Sequence, residues 1–587
     1  MNIRPLDSGA ALSTNPHDVL SDRVVIAMVG LPARGKSYIS KAIVRYLNFL
    51  GCPAQLFNAG NKRRKEGAAG VGANFFDASN LDAKAQRERM AMETLEELLA
   101  WLHASTTHAN GCACGILDAT NTTIARREKV RERIAREVPH VRLIFLESIC
   151  NDQEVLTHNY HMKLSNDDYK GADPDSALLD FMERVRQYER VYENVNDDIE
   201  CVPWRDRSRE EESAAVKGAE QPSDRLTGTD LADVERRLVV SPPPPTPGVI
   251  QMIDAGRKLI VTQCEGHVVN EVLSLLHSIH LGPRCIWITL VGETANDLRG
   301  VLGGDSALST AGRDYAGAVR QHIDAREASP DLRQAGKAPP PAMVLTGTLQ
   351  RNVQMAEVIC AQAGEALLQP SSLASPCSRP APPSPDGTTA ASAGPSTAVE
   401  GVGQPGGRRR RISLQIHALN ELCAGKLDEL TYEQMRKMYP HEFAARASNK
   451  LHYRYPGAGG ESYMDLIMRL QSVILMLEQT RGNVAVVADR AACRVLLAYF
   501  NGLPDLEQLP FYEVDAGVIE LRRSHSGFSM THTPIHSGAT TRAAGPGTQV
   551  RVDANGAAPA AAPPLSERPS TASGVDSIEV RPAVPVV

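Results

Sequence analysis

Apolar residues are grouped along the chain in two rhythms. Short unbroken runs at Val24 to Val29, Gly115 to Ala119 and Val141 to Leu146 read as buried strands. Between them lies helical spacing, as from Ser37 to Leu50, where Ile39, Ile43, Tyr46, Leu47 and Leu50 share one face and Gly51 is the stop. A charged helix is predicted from Ala125 to Glu137, most of its arginines simply solvated. Strands alternating with helices imply parallel pairing and an α/β fold. The style repeats later, with strands at Cys285 to Val291, Met343 to Leu345 and Val484 to Ala488, and helices from Ser309, Gln350, Gly460 and Ala491 onward.

Three stretches interrupt this rhythm: 203–249, ending in SPPPPTPG; 369–411, ending in GGRRRR; and 538–587, rich in Ala, Pro and Gly. Such compositions bury too little apolar surface to offset the entropy of ordering, so disorder is expected there. The implied organisation is an N-terminal extension 1–22, an α/β domain 23–202, a linker insertion 203–249, a second α/β domain 250–537 carrying the insertion 369–411, and a tail 538–587.

Composition narrows the partners. Across 587 residues, Lys+Arg 63 against Asp+Glu 69 leaves a net charge of −6, so no global field draws in nucleic acid or an anionic membrane, and any polyanion site must be a local pocket. The 11 cysteines lack paired metal-ligand spacing, which argues against structural zinc and disulfides. The first twenty residues have no apolar core behind a basic start, and no run of about 18 apolar residues occurs. A soluble cytoplasmic protein is expected.

Gly30-Leu31-Pro32-Ala33-Arg34-Gly35-Lys36-Ser37 fits GxxxxGK(S/T) with a strand before it and a helix after it. Glycines there let successive N–H groups wrap an anion, the helix N-terminus adds partial positive charge, Lys36 reaches the outer phosphates, and Ser37 can hold Mg²⁺. The bland alternative is a Gly-rich turn that only joins strand to helix. Such a loop needs a carboxylate at the end of a neighbouring strand, and Asp118 in GILDATNT stands there; its alternative is a helix N-cap, a place Asn121 or Thr122 can fill equally well. Arg63 and Arg64 follow the strand-like Ala54 to Phe57, at the carboxyl end where ligands of open α/β sheets collect.

In order along the chain, MVGLPARGKSYISKAIVRYLN, FNAGNKRR, ANFFDASN, LDATNTT, LESICND, DDYK and QYERVY resemble the kinase half of the 6-phosphofructo-2-kinase/fructose-2,6-bisphosphatase family. GGDSALSTAGRDYA, LNELCAGKLDELTYEQMRKMYPHEFAAR, YRYP and LLAYF resemble its second half. The resemblance implies a P-loop kinase domain with a mostly parallel sheet, followed by an α/β histidine-phosphatase-like domain. It further implies transfer of the ATP γ-phosphoryl group, with Mg²⁺, to the 2-hydroxyl of fructose 6-phosphate. By that match Gly30, Gly35, Lys36 and Ser37 take the nucleotide phosphates and the metal, and Asp118 meets the metal and the sugar hydroxyl. Arg64 and Arg87 grip the sugar phosphate, Thr120 and Tyr188 line the sugar site, and Asn159 and Lys163 fall on the nucleotide side. Asp77 departs from the family, which has Arg after Asn-Phe-Phe, and one residue is missing before Lys163.

The second domain of that family opens with a strand ending Arg-His-Gly-Glu, whose His attacks phosphorus. This chain has Leu290-Val291-Gly292-Glu293 there, Val301 in place of a phosphate-contacting Arg, and Asp489 in place of the second His. An aliphatic side chain has no lone pair to offer phosphorus, so phosphatase activity is expected to be absent. Glu421, at the acid/base position, and Arg351 survive as remnants. Three jobs stay open for such a domain: support of the kinase half, homodimerisation, or sensing a ligand in the old pocket. Finally, Arg410 and Arg411 precede Ser413 at a spacing that resembles a site for a basophilic regulatory protein kinase; the bland reading is a solubilising charge run.

Overall fold

The computed structural model describes residues 22–65, 72–77, 79–105, 111–138, 140–164, 168–169, 171, 173–196, 200–201, 246–254, 256–280, 284–332, 342–361, 411–503, 505–524 and 527–535. Nearly all of the expected extension, most of the linker, nearly all of the middle insertion and the tail lie outside them. The predicted strands form two sheets. The first is built from β1 (Arg23–Val29), β2 (Ala54–Asn58), β3 (Ala113–Asp118), β4 (Arg142–Ile149), β5 (Gly248–Ile253) and β6 (Lys258–Thr262), in the order β2-β3-β1-β4-β5-β6. All its pairings are parallel except β5 with β6. β1 runs between β3 and β4, with Ile26 opposite both Ile116 and Ile144, and it is buried over nearly its whole length. That two-sided burial is why the strand is an unbroken apolar run.

Helices α1 (Lys36–Phe49), α2 (Ala59–Lys65), α3 (Leu81–Ala104), α4 (Ile124–Glu137), α5 (Gln153–Lys163) and α6 (Pro174–Glu189) follow within this part, and α7 (His267–Ser278) follows β6. Their starts are read from side chains: Asn80 accepts from Ala83 N–H, Thr123 from Arg126 N–H and Asp173 from Ser176 N–H. Thr123, not Asp118, Asn121 or Thr122, therefore caps α4. Most of the arginines of this helix are expected to be solvated, and Arg127 and Arg131 are exceptions that lie buried. Arg127 makes two 2.7 Å bonds to the Glu200 carboxylate and donates to the carbonyls of Asn121, Glu193 and Asn194, so the segment after α6 folds back over α4 and supplies the counter-charge.

The second sheet comprises β7 (Cys285–Leu290), β8 (Met343–Thr346), β9 (Ser413–Gln415), β10 (Val484–Ala488), β11 (Gly517–Ser524) and β12 (Gly527–Pro534), ordered β12-β11-β7-β10-β8-β9. β7, β10, β8 and β9 are parallel, and β11 and β12 are antiparallel additions at one edge. Its helices are α8 (Ala295–Arg299), α9 (Thr310–Ala328), α10 (Gln350–Cys360), α11 (Tyr432–Met438), α12 (Pro440–Ser448), α13 (Tyr463–Gln479) and α14 (Arg490–Asn501).

One expected boundary moves. A second domain starting at 250 is contradicted by β5, which pairs in parallel with β4 from Ile144 opposite Gly248 to Ile149 opposite Ile253. The apolar run Val249, Ile250, Met252 covers the open edge of β4, so the chain returns to its first sheet after the proline-rich linker before it enters the second. A sequence scan that treats the linker as a domain border cannot see this return.

The two sheets share one core. Ile39, Ile43, Tyr46 and Leu47 of α1 belong to the same buried apolar cluster as Val272 and Leu276 of α7, Leu470 and Ile474 of α13, and Leu496 and Tyr499 of α14. Polar side chains stitch this junction: Tyr46 donates to Glu271 at 3.0 Å, Arg45 donates to Glu478 at 2.8 Å, and Arg284 meets the other oxygen of Glu478 at 3.1 Å. Among the described residues, no helix is long and apolar enough to cross a membrane.

Candidate active site

At the carboxyl end of the first sheet, where β1 has neighbours reached in opposite directions, the chain leaves a cavity of about 890 Å³. The loop from Gly30 to Gly35 forms one wall. Its shape requires small residues: Gly30 has φ 136° and a Cβ there would sit 2.7 Å from the Ser148 carbonyl oxygen, while Ala33 and Gly35 have φ 60° and 89°. Gly30 N–H donates to Thr120 O at 3.0 Å, Ser148 Oγ to Arg34 O at 2.5 Å, and Asn159 Nδ2 to Ala33 O at 3.0 Å. The loop is thus held from three sides, and α1 begins at its end with no acidic side chain in its first turn.

Lys36 is buried, and its Nζ donates to the carbonyls of Gly30 at 2.7 Å and Leu31 at 2.6 Å. Burial pulls its pKa down to about 7; Lys163, Arg34 and Arg184 push the same way, and Asp118 opposes them. Asp118 is buried at the end of β3 and accepts a 2.5 Å hydrogen bond from Asn58 Nδ2 at the end of β2, in register beside it. The Ser37 hydroxyl and the Asp118 carboxylate are hard oxygen donors lining one cavity, a donor set suited to Mg²⁺ held jointly with phosphate oxygens. Lys163 also lines the cavity, and burial lowers its pKa too.

The opposite wall is cationic. Arg64, Arg87, Thr120 and Tyr188 all line the cavity. Arg64 Nη1 lies 3.5 Å from Asp168, which Arg63 grips at 2.6 and 2.7 Å. Arg63 is therefore spent on a buried ion pair. Arg87 donates to Phe75 O, and Tyr188 packs on Phe76 with ring centroids 5.7 Å apart. Two further arginines face the same space: Arg126 at the start of α4, and Arg184, whose guanidinium lies 3.8 Å from the Phe76 ring centroid. Sequence reading passed over both, although Arg184 lies four residues before Tyr188 and so shares its helical face. Gly30, which shapes the loop from behind, is the one expected binding residue that does not line the cavity.

The corresponding end of the second sheet is built differently. Leu290 is buried at the end of β7, and Val291 packs against the core beneath α9. Asp489, at the end of β10, accepts from Arg351 Nε at 2.7 Å and from Asn352 Nδ2 at 2.8 Å, while Arg351 Nη1 donates to Gly304 O at 2.6 Å. The surviving cation is thus consumed internally; Asp489 does more than repel a phosphate, because it occupies the group that would bind one. Glu421 accepts from the N–H groups of Leu422 and Ala491, and burial, reinforced by Asp489, holds its carboxyl well above the usual carboxylate range. Glu293 accepts from Ser309 Oγ at 2.8 Å, and Val301 bridges to Thr431.

Ser413 opens β9, exposed and paired with Val344. Arg411 does not belong to a solubilising charge run: it is buried, with Nη2 on Asp324 and Glu327 at 2.6 and 2.8 Å and Nη1 on Ile359 O. Arg408 to Arg410 lie outside the described residues.

A family model described as 6-phosphofructo-2-kinase matches residues 13–202, and one for the histidine phosphatase superfamily (branch 1) matches 407–534. A probable 6-phosphofructo-2-kinase of Schizosaccharomyces pombe is 33% identical over 497 residues, covering 84% of this chain and 66% of that protein. 6-Phosphofructo-2-kinase 1 of Saccharomyces cerevisiae is 31% identical over 499 residues, 84% of this chain and 50% of that one. The chain therefore spans between half and two thirds of the length of these two yeast relatives. 6-Phosphofructo-2-kinase/fructose-2,6-bisphosphatase 3 of Homo sapiens is 31% identical over 508 residues, 86% of this chain and 74% of that protein. With its P-loop sheet joined to a histidine-phosphatase sheet and these matches along most of its length, the chain belongs to the 6-phosphofructo-2-kinase/fructose-2,6-bisphosphatase family.

Proposed function

We propose that this protein transfers the γ-phosphoryl group of ATP to the 2-hydroxyl of fructose 6-phosphate, and that its second half does not hydrolyse the product, fructose 2,6-bisphosphate. The observation that carries the first statement is one cavity holding a P-loop lysine, a buried carboxylate and an arginine-rich far wall. Two separate anionic groups, a triphosphate and a sugar phosphate, match its two cationic ends. Phosphoryl transfer asks for positioning and charge neutralisation more than for a strong base, and these side chains supply both.

In this reading Lys36 leaves the carbonyls of Gly30 and Leu31 for the outer phosphates, and Asn159 steadies the loop through Ala33. Ser37 and Asp118 would hold Mg²⁺, which when bound screens charge on the transferring group. Asp118, oriented by Asn58, also lies where it can accept the hydrogen bond of the acceptor hydroxyl. Arg64 and Arg87 would fix the sugar phosphate, with Thr120 and Tyr188 beside the ring.

The loss of phosphatase chemistry rests on Val291 at the nucleophile position and on the Arg351–Asp489 pair. A triad-type enzyme that loses its nucleophile typically keeps about one part in 10⁶ of its turnover. Of the three jobs open to such a domain, support of the kinase half is favoured by the core it shares with α1. The test is a two-way assay of purified protein: fructose 2,6-bisphosphate forms from ATP and fructose 6-phosphate, and added fructose 2,6-bisphosphate is not consumed. Phosphate appearing only on nucleosides, or release of phosphate from the bisphosphate, would overturn the corresponding half.

A further inference from the structure

The wall of the kinase cavity includes a residue from the other half of the chain. Arg523, near the end of β11 in the second sheet, lines it together with Ser37, Tyr38 and Lys41 of α1. Its guanidinium carbon lies 4.2 Å from the centroid of the Tyr38 ring, close enough for a cation–π contact, and it donates a hydrogen bond to the carbonyl of His280. That carbonyl follows α7, so the guanidinium spans from the second sheet to the helix start that carries the phosphate-binding residues. Tyr38 directly follows Ser37, and Arg523 is mostly shielded from water, which strengthens a cation–π contact.

We infer that Arg523 is a positioning residue for the nucleotide: the phosphatase-like half holds Tyr38, and through it the first turn of α1 with Lys36 and Ser37, in the orientation that receives the phosphates. The inference rests on reading the cavity as a nucleoside triphosphate site. It gives the catalytically silent half a specific task inside the active one, beyond sharing a core. Deleting the guanidinium leaves the Tyr38 ring held only by its packing against the shared apolar core, without removing any group that touches the acceptor, so the effect falls on ATP alone.

The experiment compares full-length wild type with Arg523→Ala, Arg523→Lys, Tyr38→Leu and the Arg523→Ala/Tyr38→Leu double variant. Equilibrium binding of a non-hydrolysable ATP analogue is measured beside steady-state kinetics. Arg523→Ala is expected to weaken analogue binding and raise KM for ATP by about fivefold, with kcat and the KM for fructose 6-phosphate within about twofold of wild type. Arg523→Lys, which keeps a cation over the ring, recovers part of that loss. Tyr38→Leu matches Arg523→Ala, and the double variant is no worse than either, as two ends of one contact require.

Several results overturn the inference. One is analogue binding by Arg523→Ala within about twofold of wild type. Another is losses that multiply in the double variant. The third is a fall in kcat and unfolding temperature together with a rise in both KM values, since that pattern marks general damage. Arg522→Ala, one residue back on β11 and bonded to Glu520 at 2.5 Å, controls for damage to the strand, and an equal loss there also overturns the inference. If wild type binds the analogue but does not phosphorylate fructose 6-phosphate, the acceptor reading fails and the binding comparison still decides the role of Arg523. Wild type that binds no nucleotide overturns both.

Discussion

The carboxyl ends of the two sheets hold charged side chains at equivalent places, and the balance of positive and negative charge differs between them. In the first, Lys36 rests on two backbone carbonyls, which any incoming phosphate outcompetes, and the far wall presents Arg64, Arg87, Arg126 and Arg184 to one cavity. In the second, Arg351 is clamped by Asp489 and Gly304, and the neighbouring acid, Glu421, is pushed toward its neutral form. Carboxylates reach cations in both places, since Asp168 lies within 3.5 Å of Arg64 and Arg184 and Glu88 within 3.1 Å of Arg126. The difference is one of number: the first cavity is lined by more cations than carboxylates and keeps positive charge to spare, whereas at the second sheet the guanidinium of Arg351 is matched by the carboxylate of Asp489.

The largest effect that can break this contrast is loss of turnover in the first pocket. Lys36→Ala and Asp118→Ala are each expected to lower kcat for fructose 2,6-bisphosphate formation by on the order of 10³-fold or more, while melting temperature stays close to wild type. A variant that retains a tenth of wild-type turnover would show that the charge in this cavity is not the catalytic one.

Next in size is the ion pair at the second sheet. Asp489→Ala removes the carboxylate that is hydrogen-bonded to the buried Arg351 and is expected to cost about 3 kcal/mol of stability, read from denaturant unfolding. An unchanged midpoint would mean that the pair is decorative.

Lys36 offers a pH signature. With its pKa near 7 in the free protein, it is largely uncharged above that pH, and a phosphate placed beside it restores the proton. Nucleotide binding should therefore take up a proton above pH 7 and weaken by up to about tenfold per pH unit, and Lys36→Arg should flatten the slope because guanidinium stays charged. Calorimetry in buffers of different ionisation enthalpy measures the uptake directly.

The smallest effect is at Glu421. Its folded-state pKa is raised above the ordinary value of 4.5, so the folded chain binds more protons than the unfolded one above that pH, and stability falls as pH climbs toward neutrality. Glu421→Gln removes this titration. It should raise stability near pH 7 by about 1 kcal/mol and flatten its pH dependence, as thermal melts between pH 5 and 8 would report.

Much of this was legible in the residues. The P-loop, Asp118 and the strand-helix alternation have local signatures, because strand burial and anion wrapping dictate residue types at fixed spacing. What stayed hidden was non-local. Arg523 reaches its cavity across nearly five hundred residues of chain from Lys36, and nothing around it marks it out. The buried state of Arg127 depends on Glu200, more than seventy residues later, so a charged helix face looked like a solvated one. β5 lies beyond a proline-rich linker, and only its pairing with β4 assigns it to the first sheet. Val291 and Asp489 could be read as departures from the histidines that the resemblance implies, but the capture of Arg351 needed the fold.

The apolar back of α1 has an evolutionary and practical consequence. Ile39, Ile43, Tyr46 and Leu47 are sealed by helices that follow the first sheet in the chain, so a chain cut after that sheet would carry a sticky stripe where a lid had been. Whatever chemistry such a lodger performs, it cannot be evicted without spoiling the solubility of its host.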